Sequence, residues 1–497
     1  MIVMKKLLFY ITLFATLSLV SCNDWLDVSP EAETTEDEMF TEVNGFKSAL
    51  TACYIKLNSA NLYGCRLIMT DIEYLAQHWS YNTGNFGDVE KLKDFQYDIE
   101  YAEKTFSTIY GEMYNTIAQA NTILLNMPEH GSVITNEDLK AVIEAEALSI
   151  RAFCHFDILR LFGQIPQNAT QKVSLPYAKT VSKEQIPYYA FDEFVSLIFA
   201  DLDAAEKLFK DHDPLLKYNF TELDNYYNSD YNVTLEDEYL GFRRFRFNYY
   251  AVKALQARIY MYLGKKTEAY TTAMEVINAV DKEGKKMLDL AGIAEINANH
   301  FALPSECILA LSNSNLEDNI QTLTDLYNTT TGIYLTENQF EKDLFVGQSV
   351  AINNRVYLWN RTQDNQGNIK PRLKKYDQPE SSSNTTLEAL ASLYQVVPLI
   401  RLSEMYLIAM ESTASLNEAN TLYSTYMTAR NVAAGTLTQE ALTAEILREY
   451  RREFFGEGQM FYTYKRLGEK NMLWKVDRDV TENDYVVPLP SSELKAN

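Results

Sequence analysis

The sequence predicts an all-α dominated fold of helix pairs joined by short turns, carrying long irregular loop insertions and minor strands. Three observations predict it. In residues 141–166, AVIEAEALSIRAFCHFDILRLFGQIP, the apolar residues Ala145, Leu148, Ala152, Phe156, Leu159 and Phe162 recur at spacings of three and four and so share one helical face. A helix, a turn of a few residues and a second helix with alanines at the contact then appear at 248–280 and again at 397–430. That design is tetratricopeptide-like, although the regular period is absent. Between the units lie two long stretches, 167–246 and 281–396, rich in Tyr, Asn, Asp and Thr.

Residues 1–21 read as a signal peptide, with Lys5 and Lys6 ahead of an apolar segment that ends at Ser21. Leu19-Val20-Ser21-Cys22 resembles the bacterial lipobox, in which the cysteine is lipidated and the peptide is cut before it. Cys22 is therefore the expected lipidation site, and fatty acyl chains of the palmitate type anchor at about 0.8 kcal/mol per buried methylene. No other stretch approaches the ~18 apolar residues that span a bilayer. The expected localisation is a membrane surface, reached through a lipid anchor.

The net charge is −23, and without residues 1–21, which hold two lysines and no acid, it is −25. Such a surface repels phosphate, and no dense basic run occurs, so nucleic acid is not an expected partner. Tyrosine is abundant, with 34 copies, and its flat apolar face with a hydroxyl at the edge suits sugar rings and wet interfaces.

The chain length of 497 exceeds what one core usually supports, which predicts one bipartite domain or two intimately packed ones. Residues 22–38 are acidic, polar and broken by Pro30, a tether whose Trp25 and Leu26 dock on the body. The body, 39–497, divides into an N-terminal helical part (39–280), an irregular ligand-face insertion (281–396) and a C-terminal helical part (397–497). A first helix is expected near 36–57 and another over 101–127. Between them, QHWSYNTGNFGD at 77–88 is a loop by composition, with Gly84 and Gly87 as breakers. The helix in 141–166 is stopped by Gly163, suited to a left-handed C-terminus, and by Pro166. In the next unit a helix runs to Leu263, turns at Gly264 and resumes over 267–280, with Ala254, Ala257, Ala269 and Ala273 at the contact. The last unit turns at 415–417. Cys53 and Cys65 are the nearest cysteine pair in sequence and their pairing stays open; Cys154 reads as a small buried hydrophobe.

The run EYRRE at 449–453, then Glu457-Gly458, Lys465-Arg466 and Gly468, resembles the C-terminal signature of the SusD/RagB family of nutrient-binding outer-membrane lipoproteins. RAFCHFDILRLFGQIP is similar to that family's central helix and its exit. Residues 401–407, RLSEMYL, resemble its penultimate helix, and VPLP at 487–490 with Glu493 and Asn497 its final segment. Tyr450, Met460 and Thr463 depart from the usual arginine, arginine and aspartate, which alters internal ion pairs. The resemblance implies a helical scaffold whose insertions form the ligand face, on the outer leaflet of a Gram-negative outer membrane. It also implies a TonB-dependent, SusC-like transporter as partner and an oligosaccharide, or in some members a peptide, as ligand.

The residues themselves favour binding over catalysis. The histidines at 78, 130, 155, 212 and 300 form no metal-binding or nucleophile-activating motif, and no cofactor or metal is expected. A glycoside hydrolase needs only two facing carboxylates, so that class remains a third reading, behind a glycan receptor and a peptide or glycoprotein-fragment receptor; a purely structural scaffold is the fourth. Sugars stack on aromatic rings and bond to amides, so loop aromatics with amide neighbours are the candidates. Trp79, Tyr81 and Asn82 rank first, with packing of Trp79 against the body an equal alternative. Tyr334 and Trp359 follow, supported by Arg355, although RVYLW alternates like a strand and favours burial of Trp359. Tyr226, Tyr227 and Tyr231 are expected to be exposed, facing either ligand or transporter. Asp230 and Asp237 lie in an acidic loop without the spacing of a calcium hand.

Overall fold

The computed structural model of the protein describes residues 36–81, 86–182, 185–326, 332–364, 366–378 and 386–495. The signal peptide, Cys22, Trp25, Leu26, Asn82 and Asn497 fall outside the described residues.

Helices dominate. The expected first helix is interrupted after a short turn, Glu36–Met39, and resumes as α1, Val43–Leu57. Helix α2 spans Glu100–His130 and α3 spans Glu137–Phe162. Asn136 sets the start of α3, its side chain accepting the Leu139 N–H at 2.9 Å. Gly163 ends it in extended rather than left-handed backbone, φ −76°. Glycine is needed there because a Cβ would lie 2.4 Å from the Leu159 carbonyl oxygen.

Helix α3 is buried around nearly its whole circumference, including Glu146, Arg151, His155, Asp157 and Arg160. A helix so placed must find internal partners for its charges. Glu146 pairs with Arg243 at 2.6 Å and Arg246 at 3.1 Å, and Arg151 holds Asp201 with two bonds of 2.7 and 2.6 Å. Arg160 reaches back one turn to Asp157. At the C-terminus, where carbonyls carry the negative end of the helix dipole, the buried Lys465 ammonium donates to the oxygens of Leu161 (3.2 Å) and Gly163 (2.6 Å). Helices α2 and α4 (Phe191–His212) pack on either side.

The two later pairs form as expected from their alanines. Helices α5, Tyr249–Tyr262, and α6, Lys266–Ile277, meet through Ala254, Ala257, Ala269 and Ala273, all fully buried. Helices α7, Leu402–Ser412, and α8, Leu416–Ala429, form the last pair, and α6 packs on α7. One boundary differs from expectation. Val396–Arg401 is a strand, antiparallel to Cys307–Ser312, and not the beginning of a helix. Besides a two-residue antiparallel pair, Leu175–Pro176 with Tyr188–Tyr189, the strands numbered in chain order are β1 (Cys307–Ser312), β2 (Trp359–Gln363), β3 (Ile369–Leu373) and β4 (Val396–Arg401); β2 pairs antiparallel with β3. Cys53, Cys65, Cys154 and Cys307 are all buried and free, so Cys53 and Cys65 are not joined. No helix among the described residues is long and apolar enough to cross a membrane.

The C-terminal helices α9, Gln439–Glu453, and α10, Met460–Leu467, carry the C-terminal signature and lock the insertion to the scaffold. Arg401 bonds Glu457 at 2.7 Å, Glu453 at 2.8 Å and Glu306 at 3.0 Å. Arg430 reaches Glu306 at 2.8 Å and Glu453 at 2.9 Å, while Arg355 and Arg452 share Glu449 at 2.6 and 2.5 Å. Lys375 closes the set on Glu457 at 2.5 Å. At the departures from the signature, Tyr450 lies under Arg466, which is forked onto Glu411 at 2.7 and 2.6 Å, and Thr463 bonds the Gln459 carbonyl one turn back.

Gly458 explains its own place in the signature. Its φ is +67°, a Cβ would lie 1.7 Å from the Leu67 oxygen, and its N–H donates to Glu73 at 2.8 Å. Gly458→Ala is expected to cost about 2–3 kcal/mol, from left-handed strain plus the clash, read as a lowered denaturation midpoint with an unchanged slope.

Candidate functional site: the Tyr334 cleft

The loop after residue 77 and the second insertion are joined edge to edge. Ser80 N–H donates to the Tyr334 oxygen at 2.7 Å and Tyr334 N–H to the Ser80 oxygen at 2.9 Å, an antiparallel bridge. Leu335 N–H then donates to the Pro371 oxygen of β3 at 3.0 Å. The Gln339 side-chain oxygen accepts from both the Ser80 hydroxyl (2.7 Å) and the Thr336 N–H (2.9 Å), tying the same segments again. Residues far apart in sequence thereby form one small surface.

Trp79, which precedes Ser80, belongs to a buried aromatic cluster. Trp79 is 1 % exposed, with φ +70°, its indole N–H donating to the Met69 oxygen at 2.9 Å and its ring set edge-on to Phe455 at 4.8 Å. Trp359 is also buried, 5.0 Å from Phe455 and 5.3 Å from Phe340. Neither indole offers a free face, so the expectation that Trp79 stacks on a ligand is corrected, whereas burial of Trp359 was the favoured reading. Arg355 is buried as well and committed to Glu449, at the signature network and not at a ligand. The physical reason is common to all three: the insertions are held down by large side chains that find partners in α9 and the segment that follows it.

Between the Tyr334 segment and the turn end of the β2–β3 hairpin lies a cleft of ≈ 580 Å³ lined by Tyr334, Thr336, Glu337, Asn338, Gln363, Asn368 and Lys370, with Gly367 and Ile369. Lys370 stands with its ammonium 4.4 Å from the centre of the Tyr334 ring and 3.3 Å from Asp364. Asp364 closes the β2–β3 turn, accepting the N–H groups of Asn368 and Gln366 at 2.9 Å each, and these bonds hold its carboxyl down at about 2. Gly367, φ +82°, makes the turn possible. Tyr81 is half-buried beside the bridge, against Phe86 at 5.1 Å; burial and the nearby acids Glu90 and Asp94 push its hydroxyl up to about 12, so it is neutral and able to donate. Lys93 supports this loop from behind, donating to the Trp79 oxygen at 2.8 Å, and burial, with Lys475 nearby, lowers it to about 8.

Amide side chains, a tyrosine face and an ammonium make a site for uncharged hydroxyl-rich ligands. Glu337 is the one carboxylate in the lining, and it pairs with Arg361 at 3.3 Å. Of the expected residues, Tyr334 lines the cleft, while Tyr81, next to Ser80 in the bridged loop, is not in its lining. Asn82 lies outside the described residues. Tyr226, Tyr227 and Tyr231, expected to be exposed, lie in the first insertion, where Tyr227 is 56 % exposed but Tyr226 and Tyr231 are half-buried, and Tyr226 and Tyr227 pack on Phe242 at 5.4 and 6.2 Å. Asp237 is taken by Lys47 at 2.6 Å, and among the described residues no cluster of three or more metal-ligating side chains occurs. Asn338, Gln363, Asn368 and Lys370 were not among the expected residues. The signal for the last three was WNRTQDNQGNIK, an alternating run broken by an amide-rich glycine turn.

Two family descriptions match the chain: SusD-like_3, "Starch-binding associating with outer membrane", over residues 24–226, and SusD_RagB, "SusD family", over 349–487. SusD-like protein P38 of Formosa agariphila is 26 % identical over 263 residues, 52 % of this chain and 42 % of that relative, so the match spans less than half of its length. Among solved structures, a SusD superfamily protein from Bacteroides thetaiotaomicron VPI-5482 superposes with a TM-score of 0.68 at 19 % identity, covering 92 % of this chain and 98 % of that one. A laminarin-binding SusD-like protein superposes at 0.61 and 16 % identity, with coverages of 92 % and 98 %. These likenesses are to the fold.

Proposed function

The chain belongs to the SusD family, and from that premise we propose that it is a cell-surface lipoprotein that captures an oligosaccharide in the Tyr334 cleft and hands it to a TonB-dependent, SusC-like outer-membrane transporter. The observation that carries the reading is the cleft itself: the Tyr334 ring and the Asn338 amide, on a segment joined to the Ser80 loop by a double hydrogen bond, with the amides of Gln363 and Asn368 and the Lys370 ammonium from the β2–β3 hairpin. Pre-organised polar groups beside an aromatic ring hold a polyol at low entropic cost. The laminarin-binding neighbour supports a glycan as the ligand class. Cys22 supplies the lipid anchor in this reading. Cys22→Ser is expected to move the protein from the membrane pellet to the soluble fraction, because a lone signal-cleaved chain lacks any acyl anchor.

A non-catalytic role is favoured by the lining: glycoside hydrolysis uses two facing carboxylates, and this cleft has one, engaged with Arg361. A glycan screen by calorimetry tests the reading. Tyr334→Ala is expected to weaken the best glycan about tenfold, in line with loss of one stacking contact of ~1.4 kcal/mol, without lowering thermal stability appreciably. Unchanged affinity in a folded Tyr334→Ala protein argues against the cleft; peptides bound in place of every glycan argue for the peptide-receptor alternative.

A further inference from the structure

A second cleft system lies elsewhere on the molecule, along helix α2, and has different chemistry. One part, ≈ 560 Å³, is lined by Ser107, Tyr110, Tyr114, Asn115, Tyr188 and Glu493 among others; the other, ≈ 250 Å³, by Tyr97, Asp98, Glu103 and Phe106 with the 487–491 segment. Ser107 and Pro490 line both, so the two parts adjoin. Their walls are α2 on one side and the final segment on the other, and neither lining contains a lysine, arginine or histidine.

The side chains concentrate on one end. The Tyr188 hydroxyl donates to Glu493, and the Tyr114 hydroxyl to the Pro176 oxygen at 2.6 Å. The Tyr110 ring lies 4.7 Å from that of Tyr114, and its hydroxyl, on a residue 5 % exposed, has no hydrogen bond of ordinary geometry, with Tyr114 and Glu493 acting on it from longer range. A polar atom left in that state is costly unless a ligand group meets it. At the other end Asp98 and Glu103 stand exposed beside Tyr97 and Phe106.

Acids interleaved with tyrosine rings, without any basic residue, are complementary to ammonium and guanidinium groups, which bond carboxylates and sit over aromatic faces. From Asp98 to Asn115 the groove follows about 25 Å of helix at ~1.5 Å per residue, the length of roughly seven extended residues at ~3.3 Å each. We propose that this groove binds an extended polypeptide segment bearing lysine or arginine side chains, with one cation on Glu493 among Tyr110, Tyr114 and Tyr188 and others on Asp98 and Glu103. The site is separate from the Tyr334 cleft, so the two readings stand or fall independently.

The test is fluorescence anisotropy of the full chain in detergent with a labelled decapeptide of alternating lysine and alanine, beside its glutamine counterpart and a glucosamine oligomer. The expected result is saturable, salt-sensitive binding of the lysine peptide, about tenfold weaker in Glu493→Gln and weaker again with Glu103→Gln added, as for removal of close charge partners. Asp318→Asn, an exposed charge outside the groove, is expected to leave the affinity unchanged. Tyr110→Phe, which removes only the hydroxyl, provides a second variant where Glu493→Gln fails to fold. Equal loss in Asp318→Asn and Glu493→Gln would mean attraction to the acidic surface at large and overturns the proposal. So does equal binding of lysine and glutamine peptides, and so does a glucosamine oligomer that binds in a Glu493-dependent way while the lysine peptide does not.

Discussion

Arg401→Met is expected to destabilise the protein by about 3–5 kcal/mol, the cost of leaving a buried carboxylate without its partner, and to lower the melting temperature by roughly 3–5 °C. Arg401 is 1 % exposed and bridges three carboxylates, Glu306, Glu453 and Glu457. Those acids come from β1's approach, the end of α9 and the segment before α10, so a single guanidinium joins the sheet, the C-terminal helix and the second insertion. The effect is one of geometry as well as charge. Methionine fills part of the volume but donates nothing, and Glu457 would then rest on Lys375 alone among the cations bonded to it. The comparison that isolates burial is Arg361→Ala. Arg361 also pairs with two acids, Glu337 and Glu341, but all three side chains are between 29 % and 45 % exposed, and a change under about 1 kcal/mol is expected there. Chemical denaturation of both variants separates the two cases, and equal losses would contradict a structural role for the buried network.

Acid is expected to destabilise the protein from about pH 6.5 downward, before the usual carboxylate range is reached, through His155. This side chain is fully buried in α3. Its Nδ1–H donates to the Arg151 oxygen at 2.8 Å and its Nε2 accepts the Ala178 N–H at 3.1 Å, which fixes one neutral tautomer, stacked on Tyr177 at 3.8 Å. A proton on Nε2 would face another N–H. Burial lowers the histidine from 6.5 to about 3. Because the folded value lies below the unfolded one, the unfolded state takes up the proton first; stability is full above pH 6.5 and declines as pH falls from there toward 3. At ~1.4 kcal/mol per unit the full loss amounts to roughly 3–5 kcal/mol. Glu449 and Glu453, held low by their arginines against the opposing effect of burial, add a further loss of the same sign below pH 4.5. Glu295 and Asp224, raised by burial, act in the opposite sense. His155→Gln keeps a donor and an acceptor but cannot titrate, and its melting temperature is expected to fall less between pH 7 and pH 4. A parallel decline in both proteins would remove His155 as the cause.

The helical scaffold was legible because its signal is local. The stripe from Ala145 to Phe162 repeats within single turns and forms the expected helix, although α3 is buried all round and not on one face, and the alanines of α5 and α6 meet across a short turn as expected. Val396–Arg401 was misread for a physical reason: a continuous apolar run suits a buried strand and a buried helix equally, and only its partner β1, some ninety residues earlier, decides. Trp79 failed in the same way. In its own loop it has no core to fill, while Phe455 and Trp359, which cover it, come from the far end of the chain. The site was legible in part. Tyr81 and Tyr334 were marked by composition, but the Ser80–Tyr334 bridge spans more than 250 residues and the Lys370 ammonium over the Tyr334 ring joins two segments 36 residues apart, and no local pattern carries either.

The most direct test of the proposed function is a crystal structure of the protein soaked with the tightest-binding glycan from the screen. The expected result is a sugar ring against Tyr334 with hydroxyls bonded to Asn338, Gln363, Asn368 or Lys370. Sugar density in the α2 groove or on the Tyr226–Phe242 surface, with the Tyr334 cleft empty, would contradict it.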